Sequence, residues 1–342
     1  MLEMFDLIDH ENGRFSGRKL SFQHLLILAQ NFQKTEPKDS IFAMLGMLSE
    51  EICGLKPDYT KSLASIMQDA TRHVLCQNNN LGLLRFVNHR QSDLEVGQMP
   101  SWVRRADWQY SAETDPRPLQ DLFCAADGLT VPSKLRQTPP DPSTLVVEGL
   151  LVDRVSAMTS LCALSTFQDL RKFEAWLLDG LRIIKKATAN DSSRSRFIAI
   201  ASAITAERAS SGARASQNGL EAAGRYIGCL VEYDRLLGPI RETYTRQKQE
   251  AHEAMRQQCD LGDVRNRRLF VTATDKFGLG PFVMQEGDVV AILRGSSYPC
   301  LLRPLGQDYQ FVGVAYVSGI MEGEAVLEYG AKGGEEAVFN LR

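Results

Sequence analysis

Five histidines (His10, His24, His73, His89 and His252) are the side chains best suited to moving protons near neutral pH or holding a metal ion. Their spacing suits neither task. No HExxH pair occurs, and no cysteine–histidine spacing matches a zinc site. His24 and His73 fall in helical stretches, where a surface or hydrogen-bonded role is expected. No GxSxG motif presents a serine nucleophile. Gly278-Leu279-Gly280-Pro281 departs from GxGxxG and opens no helix, so it cannot offer a helix N-terminus to phosphate. It predicts a turn. The acid pairs Glu50-Glu51 and Glu335-Glu336 are chain neighbours, whose side chains diverge on a helix or strand. Glu322 and Glu324 share a face only in extended chain, and a solvated loop is expected there. The expectation is no catalytic, cofactor-binding or metal-ligating residue, and no cofactor.

The densest positive run is Arg265-Asn266-Arg267-Arg268, with Arg241, Arg246, Lys248 and Arg256 upstream. Glu242, Glu250, Glu253, Asp260 and Asp263 interleave with it, the pattern of a salt-bridged, solvated helix. No aromatic platform for stacking bases accompanies it, so nucleic acid is not an expected partner.

These residues must be held by a chain of 342 amino acids, enough for one large core or two to three smaller ones. Hydrophobic content of 44%, charged content of 24% and a net charge of −3 are those of an ordinary globular protein. Seven cysteines with no CxxC suggest free thiols in a reducing compartment. Cys53, Cys76, Cys162 and Cys229 sit in apolar helical stretches, where a small buried hydrophobe is expected. The amino terminus lacks the basic-then-apolar layout of a signal peptide. The longest apolar run, Phe197 to Ile204, is too short for a ~30 Å bilayer core. A soluble, cytoplasmic protein without membrane insertion is expected.

Helical spacing begins after Ser21, a candidate N-cap, with Phe22, Leu25, Leu26 and Ala29 on one stripe. Asp39 is a candidate cap for Ser40 to Met47, and Thr60 for a helix reaching Gln77. Tyr59, Trp102 and Trp108 read as core aromatics. Polar, proline-rich linkers follow at Asp115 to Pro118 and Thr138 to Ser143. Strand-like runs lie at Leu129 to Leu135 and Leu145 to Val155, the latter with Gly149 as a bulge or point of close approach. Helices are expected at Phe167 to Lys186, capped by Ser165, and at Phe197 to Arg208. A third tract runs from Leu220 to Met255, broken at Gly238-Pro239. Asn190 to Arg196 reads as a polar loop, and Ser210 to Asn218 as mobile chain. From Arg267 to Glu324, short β-branched and aromatic runs punctuated by Gly, Pro and Asp predict a meander of short strands that closes or is covered.

Several stretches resemble fungal heterokaryon-incompatibility (HET) domain proteins. In the meander the matching positions include Thr274, Gly278, Gly280, Pro281, Gly287, Asp288, Gly295, Pro299 and Arg303, then Tyr309, Gly313, Tyr316, Gly319, Met321 and Glu324. Pro37 to Met47 (PKDSIFAMLGM) resembles the family's DPRDKIYALLGL, and Pro57-Asp58-Tyr59 with Ser62 its PDYxxS step. Pro100-Ser101-Trp102-Val103 and Asp107-Trp108 resemble PSWVPDW, with Arg104-Arg105-Ala106 where the family has one proline. The resemblance runs from about Leu20 to Glu324. It implies a role in nonself recognition and programmed cell death. The family's effector module, which lies ahead of these motifs, is expected to be missing.

The fold expected is α+β: an N-terminal helical layer over residues 1–115, a small antiparallel barrel or curled sheet from 120–158 with 266–330, and a helical insertion at 159–265. The function expected is non-enzymatic binding of a protein partner. The alternatives are an enzyme with an unrecognised pocket or Toll-like nucleotide hydrolysis, and a truncated remnant without activity.

Overall fold

The computed structural model describes residues 8–9, 14–15, 21–29, 35–46, 55–97, 99–107, 111, 115–119, 122–129, 141–187, 193–235, 240–331 and 336–342. The chain divides into two compact units, Met1–Val74 with Arg105–Tyr110, and Leu75–Arg104 with Ser111–Arg342. Glu50-Glu51, Glu335, His10, Cys53, Trp108 and most of Leu129 to Leu135 lie outside the described residues.

In the first unit a two-residue pairing joins β1 (Ile8–Asp9) to β2 (Arg14–Phe15). Helix α1 (Phe22–Leu28) starts where its cap predicts: Ser21 Oγ accepts from the His24 backbone N–H at 3.4 Å. The next two caps differ from expectation. Asp39 opens α2 (Asp39–Leu45) without a capping bond, and its carboxylate accepts from the Tyr59 hydroxyl at 2.6 Å. Tyr59 is 54% exposed, its ring edge-on to Phe42, and is no core aromatic. Thr60 donates its N–H and hydroxyl to Asp58, closing an Asx turn, and Ser62 Oγ instead caps α3 (Leu63–Asn78) by accepting from Ser65 N–H at 3.2 Å. With polar residues at 58, 60 and 62, only the tertiary path of the chain selects the cap.

The second unit is built on an eight-stranded mixed sheet. Its strands are β3 (Leu145–Met158), β4 (Arg267–Thr272), β5 (Phe277–Pro281), β6 (Val289–Leu293), β7 (Cys300–Leu305), β8 (Asp308–Val314), β9 (Tyr316–Val317) and β10 (Ala337–Leu341). Five of them form a ring: β3 pairs β6, β6 pairs β7, β7 pairs β8, β8 pairs β10, and β10 returns to β3. The other three extend from the far end of β3 in the order β4, β5, β9. The structure is therefore α+β, but the small antiparallel barrel expected is a ring with a branch, and its β8–β10 seam is parallel.

β3 serves both parts. Its register shifts between Leu151 and Asp153 against β6, and between Val155 and Ala157 against β4, so the strand bends out of the ring into the branch. Asp153 holds the first irregularity by accepting from Arg154 N–H at 2.8 Å and Thr274 N–H at 3.2 Å. Burial pushes its carboxyl up, but bonds from Thr272, Thr274 and these amides outweigh it and leave the group below the usual range. Gly149 is the point of closest approach: a Cβ there would lie 2.1 Å from the Ile292 carbonyl oxygen. The core beneath combines Leu150, Val155, Phe270, Val290, Ile292, Leu301 and Val312, apolar side chains worth about 1.5–3 kcal/mol each when buried.

The Pro100-Ser101-Trp102 step sutures the parallel seam. Ser101 Oγ accepts from Phe311 N–H at 2.7 Å, and Ser101 N–H donates to the Arg342 carbonyl at 2.8 Å. Trp102 is fully buried and donates Nε1–H to the Ser143 carbonyl at 2.9 Å. Asp288, 1% exposed, accepts a two-pronged ion pair from Arg303 at 2.9 and 3.1 Å and fastens the Glu286-Gly287-Asp288 turn to β7.

Phe277–Pro281 is a buried strand, not the turn its glycines suggested. A Cβ on Gly278 would meet the Phe270 ring at 2.3 Å and the Tyr316 carbonyl at 2.7 Å, so glycine is needed for close packing, not for bending.

Between β3 and β4 come α5 (Leu164–Gln168), α6 (Leu170–Ala187), α7 (Ser193–Thr205), α8 (Gln217–Arg235) and α9 (Ile240–Gln258). The helix expected from Phe167 breaks at Asp169, whose carboxylate accepts from the Arg171 and Lys172 N–H groups and restarts the helix as α6. Ser210 to Asn218 is ordered: bridges join Arg208 to Arg214 and Ala209 to Cys259. Ahead of the sheet lies α4 (Gln91–Val96), and after β9 comes α10 (Glu324–Ala331).

Candidate functional site

Four polar clusters of the second unit could carry function. The basic run does not form a surface stripe. Arg267, 2% exposed, donates to the Arg117 carbonyl at 3.0 Å, Arg268 to the Phe282 and Thr159 carbonyls, and Asn266 to the Asp115 carbonyl. Arg265 lies over the Phe167 ring at 5.8 Å. Burial pushes the Arg268 guanidinium below its ordinary range. Around this run Arg208, 2% exposed, sits 3.4 Å from both Asp260 and Asp263, and Arg117 reaches Asp260 at 3.0 Å. These charges join the end of α7 to the segment before β4. Burial pushes Asp263 up while Arg208, Arg117 and Arg267 pull it down, and the net direction is up. Removing Arg208 leaves a buried acid without its nearest cation, so Arg208→Met should cost about 3 kcal/mol at pH 8. An acid whose folded pKa is raised destabilises increasingly as pH climbs above its unfolded value of about 4. The deficit of Arg208→Met should therefore shrink at pH 5. Thermal melts of both proteins at the two pH values check this, and a deficit that grows at pH 5 would contradict it.

The second cluster lies among the insertion helices. Glu174 of α6 accepts from Lys248 Nζ of α9 at 2.7 Å and from the Tyr226 hydroxyl of α8 at 3.1 Å. The Tyr226 ring lies 5.0 Å from that of His252. Burial raises the Tyr226 hydroxyl and lowers His252. Base and acid are thus spent on each other, fixing three helices together.

The third is a cleft lined by Leu81, Gly82, Arg85, Ser296, Ser297, Tyr298 and Val314, with room for about one water at ≈ 10 Å³. Behind it Ser296 Oγ lies 3.5 Å from Cys300 Sγ. Complete burial pushes that thiol up to about 12, so it stays protonated and is no nucleophile at neutral pH. Cys162, buried in a loop rather than a helix, is likewise pushed up to about 12, and Cys259 to about 11.

The fourth lies where the insertion meets the branch. Glu207 accepts from the Tyr316 hydroxyl at 2.7 Å and from Arg214 at 2.9 and 3.0 Å, while Arg214 reaches Glu322 at 2.5 Å. Arg214 also lies 5.0 Å over the Phe123 ring, which packs edge-on to Tyr298 and Tyr316. Glu322 and Glu324 do not form a paired acid site: Glu322 N–H donates to Glu324 Oε2, a local turn bond at 2.7 Å.

The sequence signalled none of these clusters, because the contacts that assemble them, such as Glu174–Lys248, Arg208–Asp263 and Glu207–Tyr316, join residues far apart in the chain. The histidines are scattered as well. His24 bonds Ser21 at 2.7 Å, His73 stands edge-on to Phe22, and His89 is buried. Among the described residues no group of three or more His, Cys, Asp or Glu side chains could hold a metal ion, and no helix is long and apolar enough to cross a membrane.

Against this geometry, the Het-6 beta-barrel domain family matches residues 240–332. Heterokaryon incompatibility protein 6, OR allele, of Neurospora crassa is 21% identical over 379 aligned residues, covering 95% of this chain and 55% of that protein. The chain is thus similar to heterokaryon-incompatibility proteins, through the beta-barrel match at residues 240–332 and the Neurospora relative. It spans about half the length of the curated relative it matches. No solved structure matches it. The heterokaryon-incompatibility match runs from α9 to just past α10, so it supplies β4 to β9 but neither β3 nor β10. The ring is thus completed by strands from outside the matched segment.

Proposed function

We propose that this chain is a binding module of heterokaryon incompatibility, engaging a protein partner in fungal nonself recognition and contributing no catalysis of its own. One observation supports this most. The residues that carry the family resemblance are consumed by the scaffold: Gly278 by close packing, Asp288 and Arg303 by their ion pair, Ser101 by the β8–β10 seam. In this account the ring is a rigid frame and the insertion turns supply the exposed surface. Ser210, Ser211, Arg214 and Ser216 are all exposed on the α7–α8 connection. A cytoplasmic location accords with this role.

The test is expression in a fungal host, alone and beside a full-length heterokaryon-incompatibility relative. Growth arrest should depend on the relative, and purified chain should leave nicotinamide dinucleotide intact. Arrest by this chain alone, or dinucleotide cleavage, would overturn the proposal.

A further inference from the structure

Ala206 and Glu207, at φ 44° and 50°, are two consecutive non-glycine residues in the left-handed region. Such residues persist only where their surroundings over-determine them. Glu207 N–H is held by the Ser202 carbonyl and Thr205 Oγ1 at 3.2 Å each, and its carbonyl accepts from Ala215 N–H at 2.6 Å. The strained backbone aims one carboxylate outward from the insertion. That carboxylate ties Tyr316 of β9 directly, and ties Glu322 through Arg214. The tied segment, Tyr316 to Gly323, lies outside the closed ring. Its other anchors are the short β5–β9 pairing of Tyr316 and Val317, the burial of Val317, Ile320 and Met321, and three backbone bonds: Ser318 N–H to the Phe277 carbonyl, Ile320 N–H to the Val317 carbonyl, and Cys124 N–H to the Met321 carbonyl.

We infer that Glu207 is a strained clasp, by which the helical insertion sets the position of the 316–323 corner while the barrel ring stays closed without it. This inference does not rest on the binding role proposed above. Both bonded oxygens of Glu207 act only as acceptors. Glutamine keeps one acceptor for Arg214 but loses the negative charge, and its N–H₂ group must donate to the Tyr316 oxygen in place of accepting from it, so both ties weaken. Tyr316→Phe removes the hydroxyl, and with it the bonds to Glu207, Ser202 and Ser318, and keeps the buried ring.

Hydrogen exchange on the full chain tests the clasp. Glu207→Gln and Tyr316→Phe should each speed exchange tenfold or more at Val317, Ser318 and Ile320, and leave β6 and β7 at wild-type rates. Ala206→Gly, which relaxes the strain and keeps the carboxylate, should leave the corner as slow as wild type. Unchanged exchange at the corner in Tyr316→Phe would overturn the clasp. So would equal acceleration in β6 and β7, because Glu207 would then support global stability alone.

Discussion

Residues 240–332 expressed alone should give an unfolded or aggregated chain, whereas residues 75–342 should unfold in one cooperative transition. The shorter segment contains every strand of the family match but leaves the ring open at both β6 and β8. β3 contributes Leu145, Val147, Leu150 and Val155 to the core, each at most 3% exposed. At about 1.5–3 kcal/mol per buried aliphatic side chain, their loss removes about 6–12 kcal/mol. A whole domain has a net stability of about 5–15 kcal/mol, and β10 takes buried Phe339 and Leu341 with it, so the loss is as large as the stability itself. The bared edges of β6 and β8 would then pair between chains. Circular dichroism melts of both fragments decide it. A cooperative melt from residues 240–332 would show that the ring does not need β3 or β10.

Gly149→Ala should be the most damaging added methyl among the described glycines. The added Cβ would sit 2.1 Å from the Ile292 oxygen and 2.9 Å from the Leu293 Cα, both backbone atoms in the neighbouring strand. A flexible side chain can yield to such a clash, but a paired strand must move as a whole. Overpacking a core typically costs about 1–3 kcal/mol, and a clash with rigid backbone belongs at or above the top of that range. Gly149 pairs Leu293 on one side and Ala337 on the other, so the shift disturbs both seams of β3. Gly330→Ala is the matched control. Nothing lies within 4 Å of a Cβ there, and replacing a helical glycine should stabilise by about 0.5–1 kcal/mol. Equal unfolding midpoints for the Gly149 variant and wild type in denaturant would refute the close approach.

Much of the scaffold was legible in the chain itself. The LVVEGLLVDRV run announced a strand, and its glycine signalled a bulge or a close approach, of which the fold uses the second. The meander was legible from Gly287 and Gly295, which do adopt positive φ at its turns. What misled was glycine used for a different reason. In β5 it makes room for Phe270 and the Tyr316 backbone, and nothing local distinguishes that from a turn. β10 is only five residues long and follows the acidic pair Glu335-Glu336, so its strand signal is weak. The alternation of Ala337, Phe339 and Leu341 was there to be read, and Phe339 and Leu341 are buried. The polar clusters were beyond sequence spacing altogether. Arg267 read as part of a solvated run, yet it is buried and donates to a carbonyl 150 residues away in the chain. Glu207 read as an ordinary helical residue near the end of its run, and only the fold brings Tyr316 to it.

Cross-linking across β3 and β10 tests ring closure most directly. Glu148 and Val338 face each other in the pairing register; Val338 is 58% exposed, and Glu148, 18% exposed, gives up a long 3.9 Å pairing with Arg294, which Glu336 also holds. Opposed residues on antiparallel strands have Cα atoms about 4.5–5.5 Å apart, within disulfide reach. Glu148→Cys with Val338→Cys should oxidise to a cross-link detectable by peptide mass spectrometry, while Glu148→Cys with Asn340→Cys, two residues out of register, should not. Failure of the first pair to close, or equal closure of both, would mean that β10 does not complete the ring.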